Sequence, residues 1–92
     1  MTLLDDREIE EYLAEMPGWK LDGDAIQREF ELDDFVGSVR FVDSLVAPAE
    51  AMNHHPDLTV SWNKVTVRIT NHDEGGVTMK DLHLAEEIDS LS

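Results

Sequence analysis

The sequence predicts an α+β domain of order α-β-β-α-β-β-α, with an antiparallel four-stranded sheet and the helices packed on one face. Three observations lead there. Apolar residues recur at helical spacing in three segments, stretches of period-two alternation lie between them, and short turns join those stretches in pairs. Strands joined as hairpins need no parallel crossover, which favours helices segregated to one face of an antiparallel sheet. The chain has 92 residues, 41% of them hydrophobic. That suits one domain over residues 1–92 with a core of its own.

The first segment, Asp5 to Glu15, carries Ile9, Leu13 and Met16 at helical steps with Tyr12 beside them. Asp5 and Asp6 suit the positive end of a helix, and Pro17-Gly18 stops it. Trp19 to Leu21 reads as a short strand and Gly23-Asp24 as a turn. Ala25 to Leu32 reads as a second strand, with Ile26, Arg28, Phe30 and Leu32 on one face and Gln27, Glu29 and Glu31 on the other. Arg28 breaks the apolar stripe, which predicts a place near the strand end or in an interface. Asp33 and Asp34 cap a long helix whose Phe35, Val36, Val39, Val42, Leu45, Val46, Ala49 and Met52 form a core-facing stripe. Pro48 interrupts it and predicts a kink near Ser44 within one helix. Pro56 disfavours helix at His55, so the helix ends near Asn53 or His54. Leu58 to Trp62 and Lys64 to Thr70 form a hairpin around Asn63. Asn71 to Val77 is a polar, Gly-rich loop, and Thr78 caps a last helix, Met79 to Leu91, with Leu82, Ala85 and Ile88 buried.

Charge narrows the function classes. There are 21 acidic and 7 basic residues, a net charge of −14. Nucleic acid and anionic lipid both call for dense Lys/Arg, so neither is an expected partner. Self-repulsion of this size is relieved by salt, whose Debye length falls to about 3 Å at 1 M. An acidic protein of halophilic type, in a salt-rich cytoplasm, is one expectation, and an ordinary acidic protein the other. No apolar run approaches the roughly 20 residues that span a bilayer, and the N-terminus does not read as a signal peptide, so a cytoplasmic location is expected. The absence of cysteine excludes disulfides, thiolate metal sites and cysteine nucleophiles.

Chemistry concentrates in histidine. His54 and His55 sit at a helix exit stiffened by Pro56, and His72 follows a strand as the chain enters the glycine loop. If that strand runs beside the helix exit, three imidazoles converge at one end of the sheet. Imidazole gives or takes a proton near neutral pH, as general acid–base chemistry needs. Glu50, four residues before His54, can share its helix face and hold an imidazole in one tautomer. The plainer readings are a surface His-His pair and, from three histidines, a zinc site; the spacing matches no ligand motif such as HExxH. His83 lies among polar neighbours and is expected in solvent. Asp73-Glu74-Gly75-Gly76 is too acidic for a phosphate cradle and reads as a flexible turn. Trp19 and Trp62 are candidate walls for a planar ligand or, more plainly for Trp62, buried sheet residues.

The run Glu50-Ala-Met-Asn-His54-His55-Pro56, then Trp62, Asn71-His72, Gly75-Gly76-Val77-Thr78 and Asp81 resembles the pterin-4a-carbinolamine dehydratase family. Nine residues separate Trp62 from His72 and eight separate His72 from Asp81, as in that family's pattern. Gly18-Trp19 and Gly23-Asp24-Ala25-Ile26 are similar to its first hairpin, so the likeness runs over about residues 17–88. The resemblance implies the same element order, dimers that pair into tetramers, and loss of water from the 4a-hydroxytetrahydropterin that aromatic amino-acid hydroxylases leave, without metal or organic cofactor. By position, His54 and His72 would be the acid–base pair and His55 the main pterin-binding residue, beside Pro56. Glu50 would orient a histidine, Trp19 would wall the pocket, and Asp81 would hold the His72 loop. The family also implies two alternatives: a non-catalytic dimerisation module that steadies a transcription factor, and a pterin role linked to molybdopterin.

Overall fold

Asp5 opens the first helix, α1 (Asp6–Leu13). In the computed structural model, which describes residues 3–92, its carboxylate accepts the Glu8 backbone N–H at 2.8 Å while Glu8 accepts the Asp5 N–H at 3.0 Å. This reciprocal pair satisfies donors that a helix start otherwise leaves open. Ile9, Leu13 and Met16 are buried, as their spacing predicts. Strands β1 (Lys20–Asp22) and β2 (Ala25–Glu31) pair around a turn in which Gly23 takes φ 62°.

Strands β3 (Asp57–Ser61) and β4 (Lys64–Ile69) form the second hairpin. The sheet order is β1-β2-β4-β3, antiparallel throughout. Ile26 lies opposite Ile69 and Phe30 opposite Val65, whereas Gln27 lies opposite Arg68. One face is therefore apolar and buried and the other polar, the mark of a sheet covered on one side. Helices α2 (Phe35–Ser44), α3 (Val46–Met52) and α4 (Met79–Asp89) complete the fold. Leu82, Leu84, Ala85 and Ile88 of α4 join Ile26, Val65, Val67 and Ile69 in one core cluster, each fully buried. At about 1.5–3 kcal/mol for each large aliphatic side chain, this layer is the main source of stability.

Four local expectations are corrected. The long helix is divided at Leu45 into α2 and α3 and is not one kinked helix. Pro48 offers no N–H to the Ser44 carbonyl, and the Leu45 N–H turns to Val42 O, only three residues back. Leu45 keeps right-handed dihedrals (φ −77°, ψ −15°), so the order of layers is unchanged. The stripe also divides: Leu45 and Ala49 are buried, but Phe35, Val36, Val39 and Val46 are exposed. The buried face of α2 runs instead through Ser38 and Phe41, because the Ser38 hydroxyl donates to Trp62 O at 2.7 Å and so meets no desolvation cost. Arg28 lies in the middle of β2, not near its end. Its guanidinium sits 4.3 Å from the Phe30 ring centroid and donates to Asp89 at 2.8 Å. Trp62 is not buried in the sheet: it occupies the hairpin turn at φ 49° and is 68% exposed.

Candidate active site

Helix α3 ends by a device that aims the histidines. Asn53 takes the left-handed conformation (φ 48°, ψ 46°). Its N–H bonds Glu50 O, and the next N–H, that of His54, reaches back to Ala49 O at 3.0 Å. This pair of bonds is a Schellman closure, with Asn doing what Gly usually does. It turns His54 inward, where only 9% of the residue is exposed, and leaves His55 outside.

His54 Nε2 lies 2.5 Å from Asp81 Oδ1. Asp81 stands in the first turn of α4, and its other oxygen accepts the Thr78 backbone N–H at 2.6 Å and the Thr78 hydroxyl at 3.1 Å. Asp81 and Thr78 are completely buried. Among the described residues no buried side-chain polar atom lacks a hydrogen bond, and His54 Nδ1 has none, so solvent reaches that nitrogen. On the surface beside this pair, His55 Nε2 lies 2.5 Å from Glu50 Oε2. An apolar recess of about 210 Å³ opens there, walled by Val42, Leu45, Ala49, Pro56 and Leu58 with Glu50 and His55 at its rim. A larger groove of about 570 Å³ lies between α1 and α4, over Leu4, Tyr12, Met16 and Met79, and is lined by no histidine.

His72 is reached from the other hairpin. Asp57 at the start of β3 pairs with Arg68 near the end of β4. The chain just before β3 and the chain just after β4 therefore emerge at the same end of the sheet, His54 and His55 on one and His72 on the other. The loop that carries His72 is closed, not loose: Asn71 O accepts the N–H groups of Gly75 at 2.8 Å and Gly76 at 3.3 Å, and Asn71 N–H donates to Gly76 O. Leu4 N–H then pins Val77 O at 2.9 Å. His72 itself is exposed, as is His83.

Several sequence expectations are refined by this geometry. Glu50 meets His55, not His54. The resemblance implies that Asp81 holds the His72 loop; in the structure it holds His54 directly and the loop only through Thr78, where the loop enters α4. Trp19 is 4% exposed, donates its indole N–H to Asp89 and packs edge-to-face on Phe30. Asp81 and Asp89 are eight residues apart on α4, about 12 Å along the axis, so Trp19 and His54 meet opposite ends of that helix. From the sequence alone Thr78 is only a helix cap. The Thr78-x-x-Asp81 spacing is a capping-box signature, and it already implies a carboxylate folded back toward the loop. No group of three or more His, Asp or Glu side chains is gathered to hold a metal ion among the described residues, and no helix there is long and apolar enough to cross a membrane.

A four-stranded antiparallel sheet under helices, with an imidazole held on a buried carboxylate at one end, defines the class: the pterin-dehydratase fold. The chain belongs to the pterin 4 alpha carbinolamine dehydratase family, whose model matches residues 2–91. A relative from Thermosynechococcus vestitus, "Putative pterin-4-alpha-carbinolamine dehydratase", is 52% identical over 89 residues, covering 97% of this chain and 94% of its own. A crystal structure of a transcriptional coactivator/pterin dehydratase from Brucella melitensis superposes with a TM-score of 0.91 at 33% identity, over 98% of each chain. A pterin dehydratase-like protein identified as a RuBisCO assembly factor shares the fold alone, with a TM-score of 0.65 at 16% identity over 79% of this chain and 84% of its own.

Proposed function

We propose that this protein is a hydro-lyase that removes water from a 4a-hydroxytetrahydropterin to give the quinonoid dihydropterin, with His54 and His72 as the proton-transfer pair. The observation that carries the reading is the buried His54–Asp81 pair, at the end of the sheet where the His72 loop also emerges. In the reaction the C4a–O bond breaks. The oxygen takes a proton from an acid and leaves as water. The adjacent ring nitrogen gives its proton to a base, and its electrons form the new C=N bond. No electrons are gained or lost overall. Two imidazoles on either side of a flat bicycle supply the acid and the base.

His55, held by Glu50, and Pro56 serve as binding residues, and the apolar recess beside them supports that role for a planar ring. Asp81 serves by orienting His54. Trp19 serves from the core, locking the far end of α4. His72→Ala is expected to lower turnover by about 10²-fold or more while the circular dichroism spectrum stays native; turnover within a factor of about two of wild type would remove His72 from the mechanism.

The pathway that fits this reaction is tetrahydrobiopterin recycling after an aromatic amino-acid hydroxylase. The excess of carboxylates supports a salt-rich cytoplasm as the setting. A homodimer or homotetramer is the working assembly, supported by the exposed Phe35, Val36, Val39 and Val46 on α2 and α3 and by the unpaired edge of β3. That same row favours a second reading, a dimerisation module for another protein. Binding of a stoichiometric helical partner without any pterin turnover would select it.

A further inference from the structure

We infer that Thr78 is a positioning residue of this site: through Asp81 it fixes which nitrogen of His54 faces the substrate. The inference rests on the acid–base reading above and assigns the roles that reading leaves open. Asp81 Oδ2 receives two donors from Thr78, the backbone N–H at 2.6 Å and the hydroxyl at 3.1 Å. Oδ1 is left for His54 Nε2 at 2.5 Å. An ionised carboxylate only accepts hydrogen bonds, so the proton of a neutral His54 sits on Nε2 and the lone pair on Nδ1. Nδ1 is the nitrogen that solvent reaches. His54 is therefore the base, taking the proton from the pterin ring nitrogen, and His72 is the acid that protonates the departing oxygen.

The role differs from helix capping, because it makes a prediction about a proton. In Asp81→Asn the side chain presents one acceptor and one donor. Thr78 offers two donors, so it claims the amide oxygen and turns the amide NH₂ toward His54 Nε2. The tautomer must then invert, with the proton on Nδ1. Thr78→Val removes the hydroxyl at nearly constant shape, so Oδ2 keeps only the backbone N–H and the carboxylate is held less firmly against His54 Nε2, whereas Thr78→Ser restores the second donor.

The test is nitrogen-15 NMR of the histidine rings in the full chain, together with pH–rate profiles on the carbinolamine. Wild type and Thr78→Ser are expected to show His54 protonated at Nε2 when neutral, and Asp81→Asn at Nδ1. Thr78→Val is expected to mix the two forms and to lower kcat by at least about tenfold with an altered basic limb. If Thr78→Val lowers only the melting temperature, with tautomer and pH profile as in wild type, Thr78 merely caps the helix and the inference is wrong. If Thr78→Val does not fold, Asp81→Asn decides: retention of the Nε2 proton there would overturn it. Should the wild type show no turnover, the tautomers still test Thr78, while the proposed activity fails separately.

Discussion

Asp81 is the residue through which the fold and the site are joined, since one buried carboxylate both starts α4 and holds His54. Its place was legible as a spacing, with eight residues between it and His72, but its partner was not, because the approach of α3 to α4 depends on packing that a linear pattern does not carry. Trp62 and Arg28 were illegible for a related reason: alternation says which face a strand residue takes but not where a turn falls or what a long side chain reaches. A second single-residue effect is testable by pH. The Tyr12 hydroxyl donates to Glu86 at 2.7 Å. That bond, then partial burial and the negative charge of Glu86, raise the tyrosine above its ordinary value of about 10. A raised value means that the neutral form is favoured in the folded state. The stability it contributes is complete below about pH 10 and is lost as pH rises through the raised value. Tyr12→Phe is accordingly expected to show a smaller fall in urea midpoint between about pH 9 and 11 than wild type; equal falls would show that the bond contributes nothing there.

Among the elements, the end of α3 matters most for function. The sequence placed that end correctly near Asn53, from Pro56 alone, yet nothing in it announced a left-handed asparagine. Gly would have been the plainer signal. Asn53→Gly is expected to change the melting temperature little, because Gly enters this region without steric cost. Asn53→Val is expected to cost about 1–2 kcal/mol and to lower turnover by swinging His54 away from Asp81. Thermal melts and initial rates on the two variants check this. Equal stabilities would mean that the closure is unimportant. The split at Leu45 is the complementary lesson. Pro48 located the break within a residue, but whether a proline bends or divides a helix depends on how the carbonyls left free are satisfied.

For the whole molecule, burial on one face of the sheet followed directly from alternation, so the α+β architecture was legible before any packing was known. What escaped was the second apolar face of α2. Hydrophobic spacing cannot separate a row that meets the core from one that awaits another chain. Val39→Asp is expected to reduce the assembly mass in light scattering while leaving the helical signal intact; an unchanged mass would remove that row from the interface. The net charge of −14 acts at the same scale. A melting temperature that rises by several degrees from 0.1 M to 2 M KCl is expected if self-repulsion is screened at a Debye length near 3 Å, and a flat response would argue for an ordinary acidic protein.

The central claim is tested most directly by following the decay of a freshly generated 4a-hydroxytetrahydropterin in the ultraviolet, with and without the protein. Acceleration to quinonoid dihydropterin, lowered about 10²-fold or more by His72→Ala, is the predicted result. Decay no faster than the uncatalysed background would contradict it.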